Sequence, residues 1–158
     1  MFRELTRIKQ QLSSEACIHL LKTEPRGVLS VLGDNGYPYG LPIDHWYNEE
    51  DSCIYFHSGS QGHKIDAMRA CSKASFCVMD QGYREEDDWV LNIKSVIVFG
   101  RIEFVENRDE AIRLTRALSY KYTSDTAYIE EEIRKYSDGL LVFRLVPEHI
   151  SGKIVKES

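Results

Sequence analysis

The chain has 158 residues, 42% hydrophobic and 28% charged, with a net charge of -5. That length suffices for a single domain, residues 1–158, with a real core, and its composition is that of an ordinary soluble globular protein. Acidic residues gather in "REEDDW" and "IEEEI", so nothing makes the basic footprint of a nucleic-acid binder. No apolar run reaches membrane-spanning length, and the opening "MFRELTRIKQQLSSE" lacks the apolar core of a signal peptide. The expectation is a cytoplasmic protein with no nucleic-acid or membrane partner.

In chain order, Ser13 and Ser14 are placed to cap a helix that runs to about residue 23, with Ala16, Cys17, Leu20 and Leu21 on one face. Pro25 and Gly27 end it. "GVLSVLG" reads as a buried strand, "DNGYP" as a hairpin turn of the Asn-Gly type, and "YGLPIDHWY" as the return strand. Pro42 within that strand marks an edge or a bulge. After the turn "NEEDS" comes the strand "CIYFHS", then a helix over 60–71 with Ile65, Met68 and Cys71 inward. "ASFCVMD" is the next strand and the acidic "REEDD" a loop. "WVLNIKSVIVFGRIEFV" is a long β segment rich in β-branched and aromatic residues, bent at Gly100.

Asn107-Arg-Asp-Glu110 resembles a capping box, and its helix places Ala111, Leu114, Thr115, Leu118 and Tyr122 on one face. A second helix over 125–136 points Ile129, Ile133 and Tyr136 inward. "GLLVFRLVPEHISGKIV" closes as a strand and a tail. About six strands, antiparallel by their turns, with helices set apart from them, predict an α+β barrel. The cysteines, Cys17, Cys53, Cys71 and Cys77, form no CxxC pair and read as reduced thiols. The five histidines have no HxxxH or HExxH spacing, so no metal site is expected.

Three stretches carry candidate chemistry. The first is "CIYFHSGSQGHKI", where a strand passes through a small, hydroxyl-rich turn into a helix. His63 and Lys64 stand in the first helical turn, where the macrodipole disfavours a cation. An anion held on the free backbone N–H groups would reverse that sign. Alternatively, Ser60 caps the helix and Lys64 points into water. The second is "GYPYGLPIDHWY", whose strand backbone beside a proline could hydrogen-bond a planar ring; its aromatic residues also suit cross-strand pairs. The third is "NIKSVIVFGRIEFV". Its alternation sets Ser95, Ile97, Phe99 and Arg101 on one face, and Ser95 needs a partner or solvent.

In order and spacing, "GVLSVLGDNGYPYGLPID", "IYFHSGSQGHKIDAMRA", "SVIVFGRIEFV" and the closing "VPEHISGK" resemble the pyridoxamine 5'-phosphate oxidase-like FMN-binding split barrels. Within them the chain is most similar to the nitroimidazole-reductase-type branch. The resemblance covers residues 12–153. It implies a six-stranded antiparallel FMN-binding split β-barrel with peripheral helices, working as a homodimer with FMN at the subunit interface. By motif match, His57 and Ser58 lie beside the phosphate and ribityl chain. His63 and Lys64 replace a basic pair that grips the phosphate. The backbone of Pro42, Ile43 and Asp44 borders the isoalloxazine, and Ser95 contacts the flavin. The tail lacks the Arg-x-His substrate element of true pyridoxamine phosphate oxidases, so the resemblance does not extend to vitamin B6 oxidation.

The implied activity is an FMN-dependent oxidoreductase passing electrons from NAD(P)H to a small acceptor, a nitroaromatic among the possibilities. The flavin performs the redox chemistry, and no obligatory acid–base residue stands out. Two other readings stay open: a flavin-binding protein without turnover, and a haem-binding split barrel with a histidine axial ligand.

Overall fold

In the computed structural model, which describes residues 1–157, the hydrophobic pattern resolves into seven β-strands and four α-helices. Helix α1 (Ser14–Thr23) starts where the Ser13 hydroxyl accepts the Ala16 N–H at 3.1 Å. It ends at Glu24, which is extended because the following residue is Pro25. Strand β1 (Arg26–Leu32) then turns through Asn35 and Gly36, both at positive φ, into β2 (Pro38–Asp44). The remaining elements are β3 (Trp46–Asn48), β4 (Cys53–Gly59), α2 (His63–Ala70), β5 (Lys73–Met79), β6 (Leu91–Val105), α3 (Arg108–Ser119), α4 (Thr126–Tyr136) and β7 (Leu140–Glu157).

All strand pairings are antiparallel, and the sheet order is β2-β1-β5-β6-β7-β4-β3. The two edge strands, β2 and β3, are neighbours in sequence with only His45 between them. The sheet must therefore curl until its edges meet at that residue, which makes a split half-barrel. This explains the strand count, seven where six were expected. The segment "YGLPIDHWY" is not one return strand. A single strand cannot pair with β1 at one edge and β4 at the other, so it breaks at the buried His45.

Three smaller differences follow from tertiary packing. The long β6 starts at Leu91, leaving Trp89 outside it and exposed. The expected tail belongs to β7, held by pairing with β6 as far as Glu157. Helix α3 stops at Ser119, so Tyr122 leaves the helix and its hydroxyl reaches backbone elsewhere. The bend at Gly100 is present. The β6–β7 register shifts between Phe99 and Gly100, and a Cβ at Gly100 would collide with the Val146 carbonyl.

The concave side of the sheet and α1 share the main core, including Leu21, Leu29, Phe76 and Val98. Phe56 stacks on Phe143 with centroids 5.1 Å apart and meets Phe76 edge-on at 5.2 Å. Each such ring, fully buried, stabilises the fold by roughly 1.5–3 kcal/mol. The convex side is divided. Over β4 and β7, α3 seals Cys53, Tyr55 and Val142 beneath Ala111 and Leu114. Over β1, β5 and β6 no helix lies among the described residues, and Val28, Met79, Ile97 and Phe99 remain 38–65% exposed. Phe2 of the amino-terminal arm reaches this side, stacking on Phe99 and His149.

Candidate functional site

The end of β4, the loop behind it and the start of α2 form one corner of the barrel. Alternation along β4 sends Ile54 and Phe56 into the main core, and Cys53 and Tyr55 under α3. His57 follows the second set and keeps an exposed side, whereas Ser58 is half-buried. Ser58 donates its hydroxyl to the Gly59 carbonyl at 2.9 Å.

Helix α2 begins at Gly62, which has φ +120 and supplies no side-chain cap. Ser60 is therefore not the cap, and the first N–H groups of the helix have no side-chain acceptor. A Cβ built at Gly59 or Gly62 would meet only open space. Lys64 makes no ion pair or hydrogen bond among the described residues. A cation, uncapped backbone donors and an open glycine loop thus converge.

His63 behaves differently from its neighbour. Its ring stacks on Tyr39 at 4.3 Å, and its Nε2 accepts the Asp34 N–H at 3.2 Å. The ring thus ties α2 to the β1–β2 hairpin. The Asp34 carboxylate lies 3.7 Å from the same nitrogen. Of the two residues, His63 is engaged by the hairpin, and Lys64 has no ion pair or hydrogen bond among the described residues.

Asp44, at the end of β2, pairs with Arg26 at 2.7 Å. The protein packed behind the His57 ring lowers the histidine's pKa; Asp44 opposes that shift and Lys64 adds to it. Strands β2 and β4 thus approach each other across the split, with His57, Asp44 and Lys64 within electrostatic reach. Ile43 packs its side chain on the inner core, so only its backbone is available. As an edge strand, β2 leaves half of its backbone donors and acceptors unpaired, and Pro42 can offer only its carbonyl.

Ser95 lies apart. Asp44 is opposite Arg26 and Ser95 opposite Met79, with β1 and β5 adjacent between them. Three strand spacings separate Asp44 from Ser95, roughly 14 Å. Both belong to the convex row pattern of Pro42, Val28, Cys77 and Ile97. One chain brings Pro42, Ile43, Asp44, His57, Ser58 and Lys64 to the split, but not Ser95.

The sequence reading missed a buried polar network at the barrel's closing corner. His45 is fully buried, and its Nε2 lies 2.7 Å from the Leu21 carbonyl. Lys121 donates to the carbonyls of Glu24 at 2.7 Å and His45 at 2.9 Å, so it caps the carboxyl end of α1. The Tyr122 hydroxyl accepts the His45 N–H at 2.8 Å. Burial, with Lys121 beside it, pushes His45 down to about 4, and burial pushes Lys121 down to about 8. Burial also raises Tyr122 to about 12. In the sequence, "YKYTSD" looks like a solvated turn; only the break at His45 could have hinted at a buried corner.

A curled antiparallel half-barrel with an open seam defines a split-barrel protein. Residues 13–154 match the family model described as Pyridoxamine 5'-phosphate oxidase, and the chain belongs to that family. No curated protein matches it. Among solved structures it is similar to a proposed 5-nitroimidazole antibiotic resistance protein from Bacteroides thetaiotaomicron, with TM-score 0.77 and 16% identity over 92% of this chain and 87% of that one. A FAD-binding protein from Mesorhizobium loti aligns with TM-score 0.69 and 25% identity, covering 94% of this chain and 97% of that one. A flavocytochrome from Azotobacter vinelandii aligns with TM-score 0.76 and 20% identity, covering 96% and 72%. No helix among the described residues is long and apolar enough to cross a membrane.

Proposed function

We propose that the chain binds FMN in a homodimer and serves as an oxidoreductase, taking electrons from a reduced nicotinamide and passing them to a small acceptor. The observation that carries this reading is the uncapped start of α2, where the unpaired Lys64 meets the open Gly59–Gly62 loop at the barrel's split. A phosphate fits that chemistry: it accepts the free N–H groups and pairs with the ammonium. The similar proteins from Mesorhizobium and Azotobacter, described as FAD-binding and as a flavocytochrome, support a flavin as the phosphate's bearer. A nitroaromatic acceptor is suggested by the Bacteroides protein's description.

Bound flavin would supply the redox chemistry. In this reading the β2 edge at Pro42, Ile43 and Asp44 positions the ring through backbone groups, and Lys64 anchors the phosphate. Ser58 borders the ribityl chain, and His57 is the candidate proton donor. Ser95 of the same chain is too far across the sheet to join them, so a second copy supplies it. The bare convex surface around Ile97 and Phe99 is the apolar area such a copy would cover.

Titration with FMN, FAD and riboflavin, followed by visible absorbance, tests the cofactor. FMN binding tightest, with nicotinamide consumed when nitroaromatic or quinone acceptors are added, is the expected result. Flavin uptake without nicotinamide consumption would make the protein a carrier. A Soret band without flavin uptake would overturn the reading in favour of haem.

A further inference from the structure

We propose, on the dimer reading above, that the amino-terminal arm is a strap that holds the chain back from pairing. Phe2 lies on the bare convex face through which two copies meet, and the second copy has to lift it.

The arm is fixed at its base. Gln11 bridges Lys153, and the Leu12 N–H donates to the Gly152 carbonyl at 2.9 Å. Ahead of that base, a single helical turn covers Ile8–Gln10. Residues 1–6 make no backbone hydrogen bond among the described residues. Side-chain contacts hold them instead. Leu5 is half-buried, and the Phe2 ring stacks at 4.9 Å on His149 and at 5.6 Å on Phe99, within 9° and 18° of their planes. A segment with so few contacts and no backbone bonds opens far more readily than the sheet beneath it.

The place of the stack gives this opening a consequence. Phe99 and His149 face each other across β6 and β7. They end a row that begins with Gly40, Ser30 and Ser75, next to the row of Val28, Cys77 and Ile97. In a two-fold pair the same face serves both copies. Sheets packed face to face lie about 10 Å apart and interdigitate their side chains. Phe99 and His149 already fill their share of that layer. A third ring stacked on them takes the space that the other copy's side chains need. Phe2 and the second copy therefore exclude each other. The partner covers far more surface than one ring, so concentration decides: dilute chains keep the strap down, and concentrated chains exchange it for the partner.

The experiment uses the full chain, Phe2→Ala and Phe2→Tyr, each checked for folding by circular dichroism. Trypsin cleavage after Arg3, followed by mass, reports the strap in dilute protein. Phe2→Ala should be cut roughly 2- to 10-fold faster than wild type, the worth of one aromatic pair. Light scattering over a dilution series reports pairing. Each dimer frees two arms, so Phe2→Ala should lower the dimer Kd roughly 4- to 100-fold. Phe2→Tyr keeps the ring and should match wild type in both measurements. Unchanged cleavage after Arg3 in Phe2→Ala would overturn the strap. So would an unchanged or weaker dimer in that variant, since the ring would then be idle or part of the interface. A dimer indifferent to Phe2 defeats the strap alone, whereas chains that stay monomeric at millimolar concentration defeat the dimer reading and the strap together.

Discussion

The two halves of the convex sheet surface are built from similar residues but end in different states. On β4 and β7, Cys53, Tyr55 and Val142 are buried because α3 folds back over them. On β1, β5 and β6, Val28, Cys77, Ile97 and Phe99 occupy equivalent outward positions and stay exposed. Among the described residues, helices cover only one half. The chain's charged residues nevertheless leave the bare half largely alone, with Arg101 drawn aside to Glu148 at 2.7 Å. In the proposed dimer, this apolar surface is the one the second copy covers. The covered half contributes stability, and the bare half is the side on which Pro42, Asp44 and Ser95 stand.

The strongest way to break this contrast is to charge the bare half. Ile97→Glu should convert a dimer to a monomer and weaken FMN roughly 30- to 1,000-fold, the loss expected at an interface hot spot. Tyr128→Glu, on the exposed side of α4, should change neither. Light scattering and flavin titration check both. A wild-type monomer that binds FMN tightly would contradict the role given to the bare half.

Acid acts next, at the corner where the two edges meet. His45 titrates at about 4 in the fold, against an ordinary 6.5. Its folded pKa is depressed, so its stabilising contribution is complete above pH 6.5. It is lost as pH falls towards 4, because the unfolded chain takes up the proton more readily. The loss amounts to roughly 3 kcal/mol across that window. Denaturant titrations at pH 7 and pH 4.5 should show most of it. In His45→Gln, whose side chain does not titrate, the difference should shrink accordingly.

Lys64→Ala should weaken FMN roughly 10- to 150-fold, the cost of one charge-assisted hydrogen bond of about 1.5–3 kcal/mol. Riboflavin lacks the phosphate, so its affinity should hold. The same FMN-to-riboflavin ratio in variant and wild type would rule out Lys64 as the phosphate ligand. Equal loss of both would point to misfolding, checked by melting the flavin-free variant.

The smallest effect belongs to the covered half. Asn107 caps α3 through the Glu110 N–H at 2.9 Å. Asn107→Ala should cost about 1 kcal/mol and lower the melting point by about 2–4 °C. FMN affinity should not change, since Asn107 caps the start of α3 and the residues of α3 near His57, Thr115 and Ser119, lie at its other end. A selective loss of FMN would blur the division between the halves.

Much of this was legible in the residues. Ser13, Asn107 and the Asn-Gly turn at residues 35–36 mark their elements by local hydrogen bonding and backbone preference. The inward set of α1 and the alternation of β6 follow from side-chain period alone. The resemblance to the pyridoxamine 5'-phosphate oxidase family also stood in the order of four short stretches, and the family match bears it out.

The corner at His45 and the hairpin-bound His63 were not legible. Each depends on partners distant in sequence: Leu21 and Lys121 for the first, Asp34 and Tyr39 for the second. Local pattern determined where strands and helices begin, because capping, turns and alternation act over a few residues. Tertiary structure decided that one predicted strand must serve both edges of the sheet. It also decided that His63 is tied to the hairpin while Lys64 makes no ion pair or hydrogen bond among the described residues, and that Ser95 stands three strands away from Asp44 on the same face. Register and curvature set those distances, and they come from pairings between residues far apart along the chain.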